Sequence, residues 1–94
     1  MSTTTKVLKE LGISEKYALH DYALLNASQK LAEFEQECEA FKKKYRMSFE
    51  HFATKMQSVE KEDFDMENDY LAWKFACEGI GFWHDRVQQL KQES

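Results

Sequence analysis

The sequence predicts an all-α fold, and three observations predict it. Proline is absent from the 94 residues and glycine occurs three times, so the two residues that break helices are nearly missing. Hydrophobic residues make up 43% and charged residues 32%, a balance too apolar for a disordered chain. Apolar side chains also recur at helical spacing along most of the length. A chain this short holds one domain, so residues 1–94 are read as a single helical unit.

Residues 3–11, TTTKVLKEL, allow two helical turns with Val7, Leu8 and Leu11 on one side. So short a helix is marginal unless docked, and residues 1–12 are expected to form a mobile N-terminal segment. Gly12 fits the C′ position that ends such a helix, and Ser14 with Glu15 supplies an N-cap and a first-turn acid for the next.

From Ser14 to about Tyr45 one pattern is sustained. Tyr17, Leu24, Leu31, Cys38 and Tyr45 recur every seven residues, and His20, Ala27, Phe34 and Phe41 fall three after each of the first four. This is the a/d register of a helix packed lengthwise on other helices. It predicts one helix of roughly 48 Å at 1.5 Å per residue. Asn26 and Ser28 are poor helix formers, yet the register runs through them. Lys42, Lys43, Lys44 and Arg46 close the helix with cations at its carbonyl end, where the macrodipole favours them.

Met47 and Ser48 make the turn, with Ser48 as N-cap for a short helix whose Phe49, Phe52, Ala53 and Met56 share a face. About ten residues do not hold a helix alone in water. This one is expected to bury its stripe across one end of the two long helices.

Residues 60–69 carry six acids in ten positions, the composition of a connector followed by a helix start capped by Asp63 or Asp65. A calcium loop is excluded there. Asn68 stands where the turn needs Gly, and Lys74 stands where the bidentate Glu is required.

The last helix, about 65 to 91, has a primary stripe of Met66, Tyr70, Trp73, Cys77, Ile80, Trp83, Val87 and Leu90. Leu71, Phe75 and Phe82 form a second line on another side. Ala72, Ala76 and Gly79 add small residues that allow a close approach, and Gly79 and Gly81 mark either close packing or a local break. One seam suffices for a two-helix hairpin, so an apolar surface this wide needs a further partner. Self-association, most simply a homodimer forming a four-helix bundle, follows as an expectation.

Net charge is −4 and unevenly spread. Residues 1–46 hold eight Lys/Arg and seven Asp/Glu (+1), and residues 47–94 hold five and ten (−5). An acidic second half disfavours nucleic acid, which needs a basic face, and suits a basic protein partner. Cys38 and Cys77 lack C-x-x-C spacing, so two reduced thiols in an intracellular, cytoplasmic protein are expected, with no metal or cofactor. No signal sequence and no run of 18 apolar residues occurs.

Two His-Asp pairs, His20-Asp21 and His84-Asp85, admit an alternative: a small metal- or ligand-binding helical protein with hydrolase-like chemistry. Both histidines fall on their helices' seams, where a hydrogen-bonded, partly buried His is the commoner state, and the ligands are too few for a metal phosphohydrolase. No Glu-x-x-His motif, glycine-rich phosphate loop or nucleophile elbow is present. The chain is therefore read as non-enzymatic. The aromatic residues of the last helix are candidate anchors for a partner.

The run LAEFEQECEAFKKKYRMSFEHF, then an acidic gap and DYLAWKFACEGI, resembles a family of small bacterial and archaeal helical proteins. The matching positions are Lys44, Tyr45, Met47, Ser48, Phe49, Glu50, Phe52, Asp69, Tyr70 and Trp73, within residues 30–80. Many members are encoded beside a small toxin-like partner and are regarded as antitoxin-like. The resemblance implies a protein-binding role and supplies no catalytic residue. Arg46 departs from the pattern, which has Gly there, a residue suited to a left-handed C′ position.

The sequence thus predicts two long antiparallel helices joined through a short one. The expected function is a protein-interaction module, the antitoxin-like half of a toxin–antitoxin pair. Leu71, Trp73, Phe75, Phe82 and Trp83 would anchor the partner, and Glu62, Asp63 and Asp65 would meet its basic surface.

Overall fold

The computed structural model describes residues 2–58 and 63–93. They form four helices, α1 (Thr3–Glu10), α2 (Glu15–Tyr45), α3 (Phe49–Gln57) and α4 (Phe64–Gln92), with no strand among the described residues. The all-α expectation holds, and no described helix is long and apolar enough to cross a membrane.

Each helix begins at a side chain that accepts from its own first turn. Ser2 accepts from Thr5 N, Ser14 from Tyr17 N, Ser48 from His51 N and Asp63 from Met66 N. These caps satisfy amide groups that have no partner inside a helix. α1 ends in a Schellman motif: Gly12, at φ 73°, donates to Lys9 O while Ile13 donates to Leu8 O. α2 ends differently, on Arg46 at φ 54° and ψ 40°. The left-handed residue is retained although a side chain occupies it.

α2 and α4 run antiparallel over most of their length. His20 meets Leu90, Phe34 meets Gly79 and Phe75, Cys38 meets Cys77, Phe41 meets Trp73, and Tyr45 meets Asp69. Rising numbers on one helix meet falling numbers on the other. The expected heptad residues from His20 to Tyr45 are all buried or half-buried, as is every residue of the primary stripe on α4. Tyr17 is the exception: it lies beyond the seam, 68% exposed.

α4 runs unbroken through Gly79 and Gly81. A Cβ on Gly79 would stand 2.7 Å from Phe34 Cγ, so this position is a close approach between helices, whereas Gly81 faces open space. α3 closes one end of the hairpin by burying Phe52 completely against Tyr45, Tyr70 and Trp73.

The core is thin. Ala27, Phe52, Trp73, Ala76 and Val87 are the buried residues among those described. The molecule measures 64 × 25 × 18 Å, and its radius of gyration is 19.7 Å. A compact chain of this length would have roughly 12 Å.

Candidate functional site

Residues at the end of α2, in α3 and at the start of α4 build one joint. Lys44 Nζ donates to Asp69 Oδ2 at 2.6 Å, and the Tyr45 hydroxyl donates to the same oxygen. The Lys44 ammonium and the Tyr45 hydroxyl hold the Asp69 carboxyl below its ordinary range. Desolvation, with Asp69 next, pushes the Tyr45 phenol up. Around this knot Phe49 stacks on Tyr70 at 5.7 Å, and Phe52 lies 5.3 Å from Trp73. Lys44, Tyr45, Ser48, Phe49, Phe52, Asp69, Tyr70 and Trp73 therefore hold the turn between α2 and α3 onto α4. Their work is structural.

Trp73, expected as a partner anchor, lies inside this joint at 2% exposure. A side chain already covered by Phe41, Tyr45, Phe49 and Phe52 has no face left for another protein. Trp83 is half-buried in the same seam. Leu71, Phe75 and Phe82 are placed differently, 57%, 63% and 49% exposed, with Phe75 at the border of the α2 seam, where its ring meets Phe34 edge-on. Phe64, 68% exposed, extends their line by two helical turns and was not singled out from the sequence. Its seven-residue spacing from Leu71 was the available signal.

This outward face is a second heptad seam. Phe64, Asn68, Leu71, Phe75, Glu78, Phe82, Asp85 and Gln89 follow at alternating spacings of four and three, and all eight are exposed. The Arg86 guanidinium lies over the Phe82 ring at 4.4 Å from its centroid, and Phe82 meets Trp83 edge-on at 5.1 Å. α4 is thus apolar on two sides, one covered by α2 and one largely exposed, with Phe75 touching both.

The acidic residues are partly occupied by helix structure. Asp63 caps α4 through Met66 N at 3.1 Å, and Asp65 is in the first turn, where an acid complements the dipole. Both are exposed. Glu62 lies outside the described residues.

The histidines behave unlike one another. His20 Nε2 contacts Leu90 O at 2.6 Å, and Nδ1 lies 3.6 Å from Asp21. Leu90 O belongs to the last turn of α4, so the imidazole satisfies a carbonyl that has no partner in its own helix. That bond, then Asp21 and Glu93, raises the His20 pKa against a smaller opposing effect of burial. His84 is exposed, which corrects its expected place on the seam. The inward direction at that level is taken by Trp83 and Val87. No three His, Cys, Asp or Glu side chains converge to hold a metal among the described residues.

The two cysteines, one on each seam stripe, lie with their sulfurs 3.8 Å from each other across the α2–α4 seam. Burial, then the Cys77 neighbour, pushes the Cys38 thiol up to about 12. Both remain free thiols.

No family model matches the chain, and neither a curated protein nor a solved structure matches it.

Proposed function

We propose that the chain is a non-enzymatic protein-interaction module whose binding element is the outward face of α4. The observation that carries this reading is the line of Phe64, Leu71, Phe75 and Phe82, four large apolar side chains exposed along one helix whose α2-facing side is packed. Contiguous exposed aromatic and aliphatic surface loses free energy to water and is recovered by a partner, at about 25 cal/mol per Å² covered. Large aromatic side chains are also the commonest anchors of protein interfaces.

The biological role we propose is that of the antitoxin-like half of a toxin–antitoxin pair, acting in the cytoplasm on a small basic protein. The resemblance at Lys44–Phe52 and Asp69–Trp73 supports it. So does the −5 charge of residues 47–94, which gives a basic partner long-range attraction before docking. Asp63 and Asp65, at the start of α4, lie where that attraction would guide a partner onto the apolar line.

The test is co-expression with the protein encoded beside this chain's own gene. Co-purification with the native chain, and loss of it with Phe75→Asp, supports the reading. No retained neighbour, or retention indifferent to Phe75→Asp, contradicts it.

A further inference from the structure

We infer that the outward face of α4 is covered by the same face of a second copy, with the two α4 helices antiparallel and a two-fold axis level with Trp73. The inference rests on the interaction reading above and names the occupant of that face in the free chain, which a partner protein taking the apolar line would displace.

The outward seam carries apolar residues at 64, 71, 75 and 82 and polar ones at 68, 78, 85 and 89. In an antiparallel pair, residues face each other when their numbers have a constant sum. A sum of 146 places Phe64 opposite Phe82 of the second copy and Leu71 opposite Phe75 of the second copy. All four large apolar residues then meet another, and Asn68 faces Glu78. Sliding either helix by one heptad sets a large apolar side chain against a polar one, Phe75 against Glu78 in one direction and Leu71 against Asn68 in the other. The face is self-complementary in one register.

A parallel pair would put each residue opposite itself, so Glu78 would face Glu78 and Asp85 would face Asp85 within the apolar seam. Two carboxylates in that position repel and lose hydration together. The antiparallel pair gives Glu78 a neutral amide that donates to it.

The chain exposes 7520 Å². A compact protein of its 11.2 kDa mass would expose roughly 5,700 Å². The excess, roughly 1,800 Å², is more than the ~800 Å² each partner buries in an interface of standard size. A rod with five buried residues among those described has surface to spare and little core. Pairing back to back gives α4 a packed neighbour on both sides.

The test is a distance. A nitroxide is carried at position 89 on a keto amino acid, which leaves Cys38 and Cys77 untouched, and its dipolar coupling is measured in the full chain at tens of micromolar. The antiparallel pair separates the two labels along the axis by about 48 Å, twice sixteen residues at 1.5 Å each. Phe82→Asp abolishes that coupling, while Gln36→Asp, on the outer side of α2, leaves it. A distance under about 20 Å, as two parallel helices at ordinary spacing would give, overturns the orientation. Absence of coupling in the native chain overturns the second copy altogether. If the neighbouring gene's protein is still retained through Phe75 in that event, the interaction reading stands without the dimer.

Discussion

Gly79 of α4 lies directly against the ring of Phe34 of α2, and a Cβ placed there would stand 2.7–2.8 Å from three of its ring carbons. Two residues on, Gly81 has nothing within 4 Å of the same imagined atom. Two glycines in one helix thus answer to different causes.

Alanine at the two positions is expected to act with opposite sign. Gly81→Ala gains about 1 kcal/mol of helix propensity at no steric cost. Gly79→Ala gains the same propensity but overpacks the seam, which costs about 1–3 kcal/mol, so it lowers stability on balance. Chemical denaturation of the two variants beside the native chain reads both signs.

Arg46 keeps a left-handed conformation at φ 54° that costs a residue with a Cβ about 1–2 kcal/mol. Its amide still donates to Lys42 O at 2.8 Å, so the turn needs the conformation and not the side chain. Arg46→Gly is expected to raise the denaturation midpoint, by about 1 kcal/mol in stability. An unchanged or lower midpoint would mean that the guanidinium makes a compensating contact.

Asp69 joins α4 to the end of α2 through Lys44 and Tyr45. Asp69→Ala leaves the half-buried Tyr45 hydroxyl without its acceptor and is expected to cost about 1–2 kcal/mol. The pH dependence has a definite sign. The folded-state pKa of Asp69 lies below its ordinary 3.8. Its contribution is therefore complete above that value and disappears as pH falls through the folded-state pKa. Acid unfolding of the native chain and the variant should converge at the low end.

His20 titrates in the opposite sense. Its pKa is raised above 6.5 by the bond to Leu90 O and by Asp21 and Glu93. The charge-dependent part of its contribution is complete below 6.5 and fades as pH rises through the folded-state value. The melting temperature of the native chain should exceed that of His20→Ala by more at pH 6 than at pH 8.5. A gap that does not narrow would show that the imidazole acts through its shape and neutral hydrogen bond alone.

Much of this fold was legible because the seams obey a repeat. The heptads from His20 to Tyr45 and the stripe on α4 fixed which sides meet, and serine and aspartate caps marked the starts. Pairings across the seam were less accessible. Cys38 and Cys77, or Tyr45 and Asp69, meet because antiparallel helices bring together positions with a nearly constant sum, and that sum depends on the length of the connection through α3. Trp73 was misplaced as an anchor because spacing tells which side a residue faces but not how completely a third helix covers it. Phe52 and Phe49 provide that cover. Leu71, Phe75 and Phe82 were identifiable because they repeat out of phase with the stripe that α2 occupies.

The outward face of α4 pairs with the same face of a second copy, while the inward face only holds the fold: that is the central claim. Molar mass by light scattering at tens of micromolar, for the native chain and for Phe75→Asp, tests it most directly. The account predicts about twice 11.2 kDa for the native chain and 11.2 kDa for the variant, with helical circular dichroism unchanged. A native chain that remains at 11.2 kDa throughout, or a Phe75→Asp chain that associates as the native one does, would contradict it.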